Sequence, residues 1–189
     1  MSVFDYRNSV EFTEYEYRLV RMFISEFCHG IEFEFIDEID LDELKMYWYE
    51  DRSEDVLGGF YYLQRNRIYL NSLFADGCSR MTWIGRMNRV AMMFPTIVHE
   101  MCHYWQSRKL WIFYLFLQIP GIRDITIERQ AYAVQDILYD NPRLLGGTVA
   151  AYAEMKKRHG FEDCYFDDVE KDALAAAPAS GAGLDQDDA

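Results

Sequence analysis

The run Ile97-Val98-His99-Glu100-Met101-Cys102-His103-Tyr104-Trp105-Gln106 decides how the rest of the chain is read. It holds two histidines four apart, with a glutamate directly after the first: H-E-x-x-H. Four residues on an α-helix advance about 400°, so His99 and His103 project from nearly one face, one turn apart. Two imidazoles placed this way can bind one Zn²⁺ at nitrogen–metal distances of about 2 Å. Glu100 stands about 100° round the helix from His99, beside the ligand face. There it can reach a metal-activated water rather than the metal. Ile97, Val98, Met101 and Cys102 are apolar and would hold this helix in a core. Without a metal, the same residues read as a pair of hydrogen-bonded core histidines beside an exposed glutamate.

A catalytic zinc takes three protein ligands and keeps one position open. The other histidines, His29 and His159, do not follow the motif at short spacing, and His159 beside Gly160 reads as a helix C-terminal cap. Glu128 is the better third ligand. It opens the segment Glu128-Arg129-Gln130-Ala131-Tyr132-Ala133, 25 residues after His103. Ala131 and Tyr132 fall on the face of Glu128, and a small Ala131 lets this helix come close to the motif helix. Among the other carboxylates, Asp124 suits an N-cap, Asp136 lies too far round and along the helix, and Glu154 sits among Lys156, Lys157 and Arg158 on a polar face. Tyr132 and Tyr104 are the candidate donors to an oxyanion, because a phenol donates a hydrogen bond at neutral pH.

His99-Glu100-x-x-His103 followed by Glu128-x-x-Ala131-Tyr132 resembles the gluzincin type of zincin metallopeptidase in a minimal form, over roughly residues 58–135. The resemblance implies one Zn²⁺ per chain held by His99, His103 and Glu128, with Glu100 as general base for peptide-bond hydrolysis by a metal-activated water. It implies a protein or peptide as substrate. It also implies a zincin-like α+β fold, a small mixed sheet with an edge-strand hairpin packed on the motif helix and further helices. A strand of the type Arg67–Asn71 would edge that sheet and pair with the extended substrate. Gln106 recurs at its position in related small zincins. Where some larger members place an aspartate to orient a histidine, this chain has Tyr132.

Working outward, apolar positions Tyr15, Leu19, Met22, Phe23 and Phe27 recur with helical period over residues 9–28, with Thr13 and Glu16 in capping-box relation and Gly30 as the stop. The alternation of Ile31-Glu32-Phe33-Glu34-Phe35-Ile36 predicts a half-buried strand, and residues 37–42 an acidic turn. Residues 44–49 fit helix or strand. Residues 58–64 and 67–71 read as a hairpin turning at Arg65-Asn66. Residues 81–93 read as helical, and Pro95 either opens a new helix or kinks a longer one. Further helices are expected over 124–139 and 147–158. Helix, strand, hairpin, then helices is an α+β order.

The expected organisation is one catalytic domain over residues 1–172 and a disordered tail over 173–189, which has almost no large apolar side chain. Half of the 189 residues are apolar and 16% aromatic, enough for a real core without disulfides. A net charge of −13 argues against a nucleic-acid partner. Four separated cysteines and a polar opening predict free thiols in the cytoplasm. The longest apolar run, residues 110–117, is too short for a transmembrane span and reads as a core segment. The alternative is a catalytically silent zincin-fold binding or regulatory module that docks through residues 110–119.

Overall fold

The computed structural model describes residues 8–28, 33, 35–52, 57–75, 78, 83–111, 113–114, 118–119, 121–145 and 147–161. A two-residue strand, β1 (Val10–Glu11), leads into helix α1 (Glu14–Phe27). Thr13 caps α1 through the expected box. Its hydroxyl accepts from the Glu16 amide, and the Glu16 carboxylate accepts from the Thr13 amide. The other oxygen of the buried Glu16 takes the Trp48 indole N–H at 2.8 Å, so one side chain satisfies a helix end and fastens it to the sheet.

Strands β2 (Lys45–Tyr49), β3 (Gly59–Tyr62) and β4 (Arg67–Asn71) complete a mixed sheet of order β1-β2-β4-β3. β2 runs parallel to β4, and β3 runs antiparallel to it. The hairpin turns at Asn66, which adopts the left-handed conformation (φ 50°, ψ 51°) that asparagine tolerates. Met46, Trp48, Ile68 and Leu70 enter the core from one face. On the other face Tyr47, Tyr69 and Phe60 stack across the three strands at 5.3 and 5.1 Å between ring centres. Two expectations change here. β4 is an interior strand with partners on both sides, and the sheet edge next to the motif helix is β3. Phe35 and Ile36 belong to a 3₁₀ turn (Ile36–Glu38) rather than a strand, since the consecutive Phe35 and Ile36 are both buried and cannot lie on opposite faces of a half-exposed sheet. Ile31, Glu32, Glu34 and Gly30 fall outside the described residues.

Helix α2 (Trp83–Leu110) is continuous through Pro95. Proline removes the hydrogen bond to the Ala91 carbonyl, at a cost of about 3 kcal/mol in a helix interior. Burial of Val90, Phe94, Ile97, Val98 and Met101 on either side offsets it. Trp111, at φ 41°, ends α2 and turns the chain back. The expected core segment that follows is largely at the surface in its described part. Trp111 and Phe113 are 79% and 67% exposed, and only Tyr114 is buried. Residues 112 and 115–117 fall outside the described set.

The helix expected over 124–139 is two pieces, α3 (Ile122–Ile125) and α4 (Ile127–Tyr139). Thr126 separates them with φ −117°, ψ −86°, and its hydroxyl donates to the Ile122 carbonyl at 2.6 Å. A side chain competing for a backbone acceptor is a common way to break a helix. A short helix α5 (Pro142–Leu145) and helix α6 (Val149–Arg158) follow, the latter capped by Thr148 and ended by His159 with Gly160 at φ 69°. The architecture is thus α+β, a four-stranded mixed sheet with several helices. α2 is its axis, packed on α1, the sheet and α4. No helix among the described residues is long and apolar enough to cross a membrane. The tail 173–189 lies outside the described residues.

Candidate metal centre

α2 carries His99 and His103 one turn apart, and α4 brings Glu128 to them from its first turn. Ala131, fully buried, permits the close approach of these helices. The Nε2 atoms of His99 and His103 lie 3.1 Å apart, and each is 3.3 Å from Oε2 of Glu128. All three residues are buried, and together they form a group able to hold a metal ion. The fit can be tested by geometry. Tetrahedral bonds of the usual zinc length, about 2.05 Å, place ligand atoms about 3.3 Å apart. The observed triangle has edges of 3.1, 3.3 and 3.3 Å.

The hydrogen bonds around the triangle point the same way. Gln106 uses its amide N–H groups on the Ile127 carbonyl (3.0 Å) and on Oε1 of Gln130 (2.9 Å). Its Oε1 is left to accept from Nδ1 of His103, at 3.0 Å. In the neutral imidazole a proton on Nδ1 leaves the Nε2 lone pair facing Glu128, where a cation, whether a metal ion or a proton, is held between them. On Glu128 the two oxygens divide their work. Oε2 faces the histidines, while Oε1 accepts from Nε of Arg123 at 2.6 Å and meets a second guanidinium nitrogen. Burial works against the Glu128 charge, but the two histidines and Arg123 outweigh it and hold this carboxyl well below the usual range. Burial likewise disfavours a charged His103, and Glu128 and Glu100 outweigh it, so its pKa is raised. Nδ1 of His99 is buried with no hydrogen-bond partner among the described residues. The His99 ring makes T-shaped contacts with those of His103 and Tyr132, with centroids 4.8 Å from each.

Glu100 is buried beside this group and is not part of it. Burial raises its pKa, and the remaining influences pull both ways: His103 and His99 lower it, Glu128 raises it, and the Tyr61 amide donates to the carboxylate. The strand register explains that donor. Asn71 N donates to Gly58 O at 2.8 Å, so pairs on β3 and β4 alternate from there, and Tyr61–Ile68 is a non-hydrogen-bonded pair. The Tyr61 peptide therefore turns away from β4, out of the sheet edge and toward α2.

The candidate tyrosines separate. Tyr104 is committed elsewhere, its hydroxyl donating to Glu43 and accepting from Arg108. Tyr132 is 54% exposed against His99. Spacing in the linear sequence gives no sign of Arg123, which meets Glu128, and singles out Gln106 only through the family resemblance. Tyr114 reads there as one more apolar residue. The turn at Trp111 returns it to the interior, where Glu100 and Arg123 are among its electrostatic neighbours. His159, as expected, caps α6, and its ring bonds to Glu26 at 3.1 Å.

A protein-family model whose description reads only ":-like" matches residues 17–108, just under half of the chain. The match includes His99, Glu100, His103 and Gln106 and stops short of Glu128. Comparison with curated proteins gives no match. Comparison with solved structures gives none either.

Proposed function

We propose that the protein is a zinc-dependent peptidase of the gluzincin type, with His99, His103 and Glu128 as metal ligands and Glu100 as general base. One observation carries the reading: a buried triangle of two imidazole nitrogens and one carboxylate oxygen, with the edge lengths of a tetrahedral zinc site and a buried carboxyl beside it. Zinc bound there supplies a Lewis acid that acidifies water and polarises a carbonyl. The chain's own groups do the rest. Glu100, its pKa raised by burial, takes a proton from the attacking water and delivers it to the leaving amine. Tyr132, half open to solvent beside His99, is the donor to the developing oxyanion. β3, in the place the resemblance gave to Arg67–Asn71, is the edge along which an extended peptide pairs. Three free cysteines among the described residues suit a reducing compartment such as the cytoplasm.

The test is Glu100→Gln assayed on a peptide library. The variant keeps its metal and loses at least about 100-fold in turnover, the scale of a positioned general base. Parent-like turnover in this variant removes Glu100 from the mechanism. The exposure of Trp111 and Phe113 favours a second reading, a catalytically silent module that docks through residues 110–119. That reading predicts metal uptake with no cleavage anywhere in the library.

A further inference from the structure

The two oxygens of Glu128 are not equivalent. Oε2 sits 3.3 Å from both histidine Nε2 atoms, and Oε1 is held by Arg123 through Nε at 2.6 Å and a second guanidinium nitrogen. Arg123 lies on α3, five residues before Glu128 and across the break at Thr126, so the break is what lets its side chain fold back over the ligand. A guanidinium fork on one carboxylate oxygen is directional and strong in a way an ammonium is not. Turning Glu128 to offer both oxygens to a metal would break both contacts at once.

We infer that Arg123 is a positioning residue that restricts Glu128 to one-oxygen coordination, and so keeps the fourth position of the metal open. The inference rests on the metal-binding reading and deepens it: three ligand atoms leave room for water and substrate, whereas a two-oxygen Glu128 would fill that room. Arg123 does not touch the reacting atoms in this role. Its side chain is half exposed, so its removal opens no cavity in the core.

The experiment is a Co²⁺ titration of the full chain, read by competition affinity and by visible absorption, on the parent, Arg123→Ala and Arg123→Lys. Four-coordinate Co²⁺ absorbs more strongly in the visible than five-coordinate Co²⁺, so the spectrum reports how Glu128 binds. Arg123→Ala is expected to bind at least roughly 10-fold more weakly, the scale for groups that orient a ligand, and to lose visible absorption. Arg123→Lys, with the charge but not the fork, falls between. Melting of the metal-free proteins checks folding, and if Arg123→Ala fails to fold, Arg123→Lys carries the comparison. A spectrum and affinity equal to the parent's in the folded variants overturn the role of Arg123 and leave the metal site standing. A parent that takes up no Co²⁺ overturns both.

Discussion

Oε1 of Gln106 lies 3.0 Å from Nδ1 of His103, and the amide end of the same side chain bonds to the first turn of the helix that carries Glu128. One glutamine thus sets the tautomer of one candidate ligand in its neutral form and ties down the helix that carries another. Gln106→Leu is expected to weaken metal binding by roughly 10- to 100-fold, as for other groups that orient a ligating histidine. Gln106→Glu, which keeps an acceptor for His103, should retain more of the affinity. Equal affinity in Gln106→Leu and the parent would mean that the orientation of His103 is set elsewhere.

Tyr132, about half exposed, packs its ring against that of His99. Tyr132→Phe is expected to lower turnover by about 100-fold or more, the cost of removing one oxyanion donor, with metal content unchanged. Steady-state kinetics beside metal analysis checks it, and unchanged turnover would return Tyr132 to a packing role.

Gly59 lets the edge strand β3 lie against α2. A Cβ there would stand 2.9 Å from Thr96 Cγ2, 3.0 Å from Leu70 Cδ2 and 3.2 Å from the Tyr69 carbonyl. Gly59→Ala is expected to destabilise the fold by about 1–3 kcal/mol through overpacking. Gly58→Ala is the control, since its Cβ would meet Thr96 only at 3.9 Å. Denaturant unfolding distinguishes them, and equal stability of the two variants contradicts the close approach.

Burial pushes the Cys28 thiol from 9.0 up to about 12 and, against the Met46 N–H that favours its charged form, the Tyr17 phenol from 10.0 up to about 12. The folded state keeps both protons where the unfolded chain releases them. Their stabilisation is therefore complete below about pH 9 and is lost as pH rises toward 12, at no more than about 1.4 kcal/mol per pH unit for each group. The denaturation midpoint should fall across that window, and fall less steeply in Cys28→Ala. A midpoint that rises there would contradict the burial of these groups.

Much of the site was legible because helix geometry is local. The four-residue spacing of His99 and His103 places them on one face whatever the fold, and the small Ala131 marked the face of α4 that comes close. The surroundings of the three candidate ligands were less legible. Arg123 meets Glu128 across the break at Thr126, and Tyr114 is buried after the turn at Trp111, both breaks being non-glycine residues in unusual backbone conformations. The exposure of Trp111 and Phe113 defeats the ordinary inference from an apolar run to a core. The sheet order was equally hidden. Arg67–Asn71 has the composition of any β-strand, and only the parallel pairing with β2 makes it interior.

Metal stoichiometry tests the central claim most directly, by equilibrium dialysis against Zn²⁺ and elemental analysis of the parent, Glu128→Ala and Asp136→Ala. The parent should hold about one Zn²⁺ per chain. Glu128→Ala should bind at least roughly 10-fold more weakly. Asp136→Ala, altering an exposed carboxylate eight residues farther along α4, should match the parent. A parent that holds no zinc, or a Glu128→Ala variant that holds it as tightly as the parent, would contradict the account.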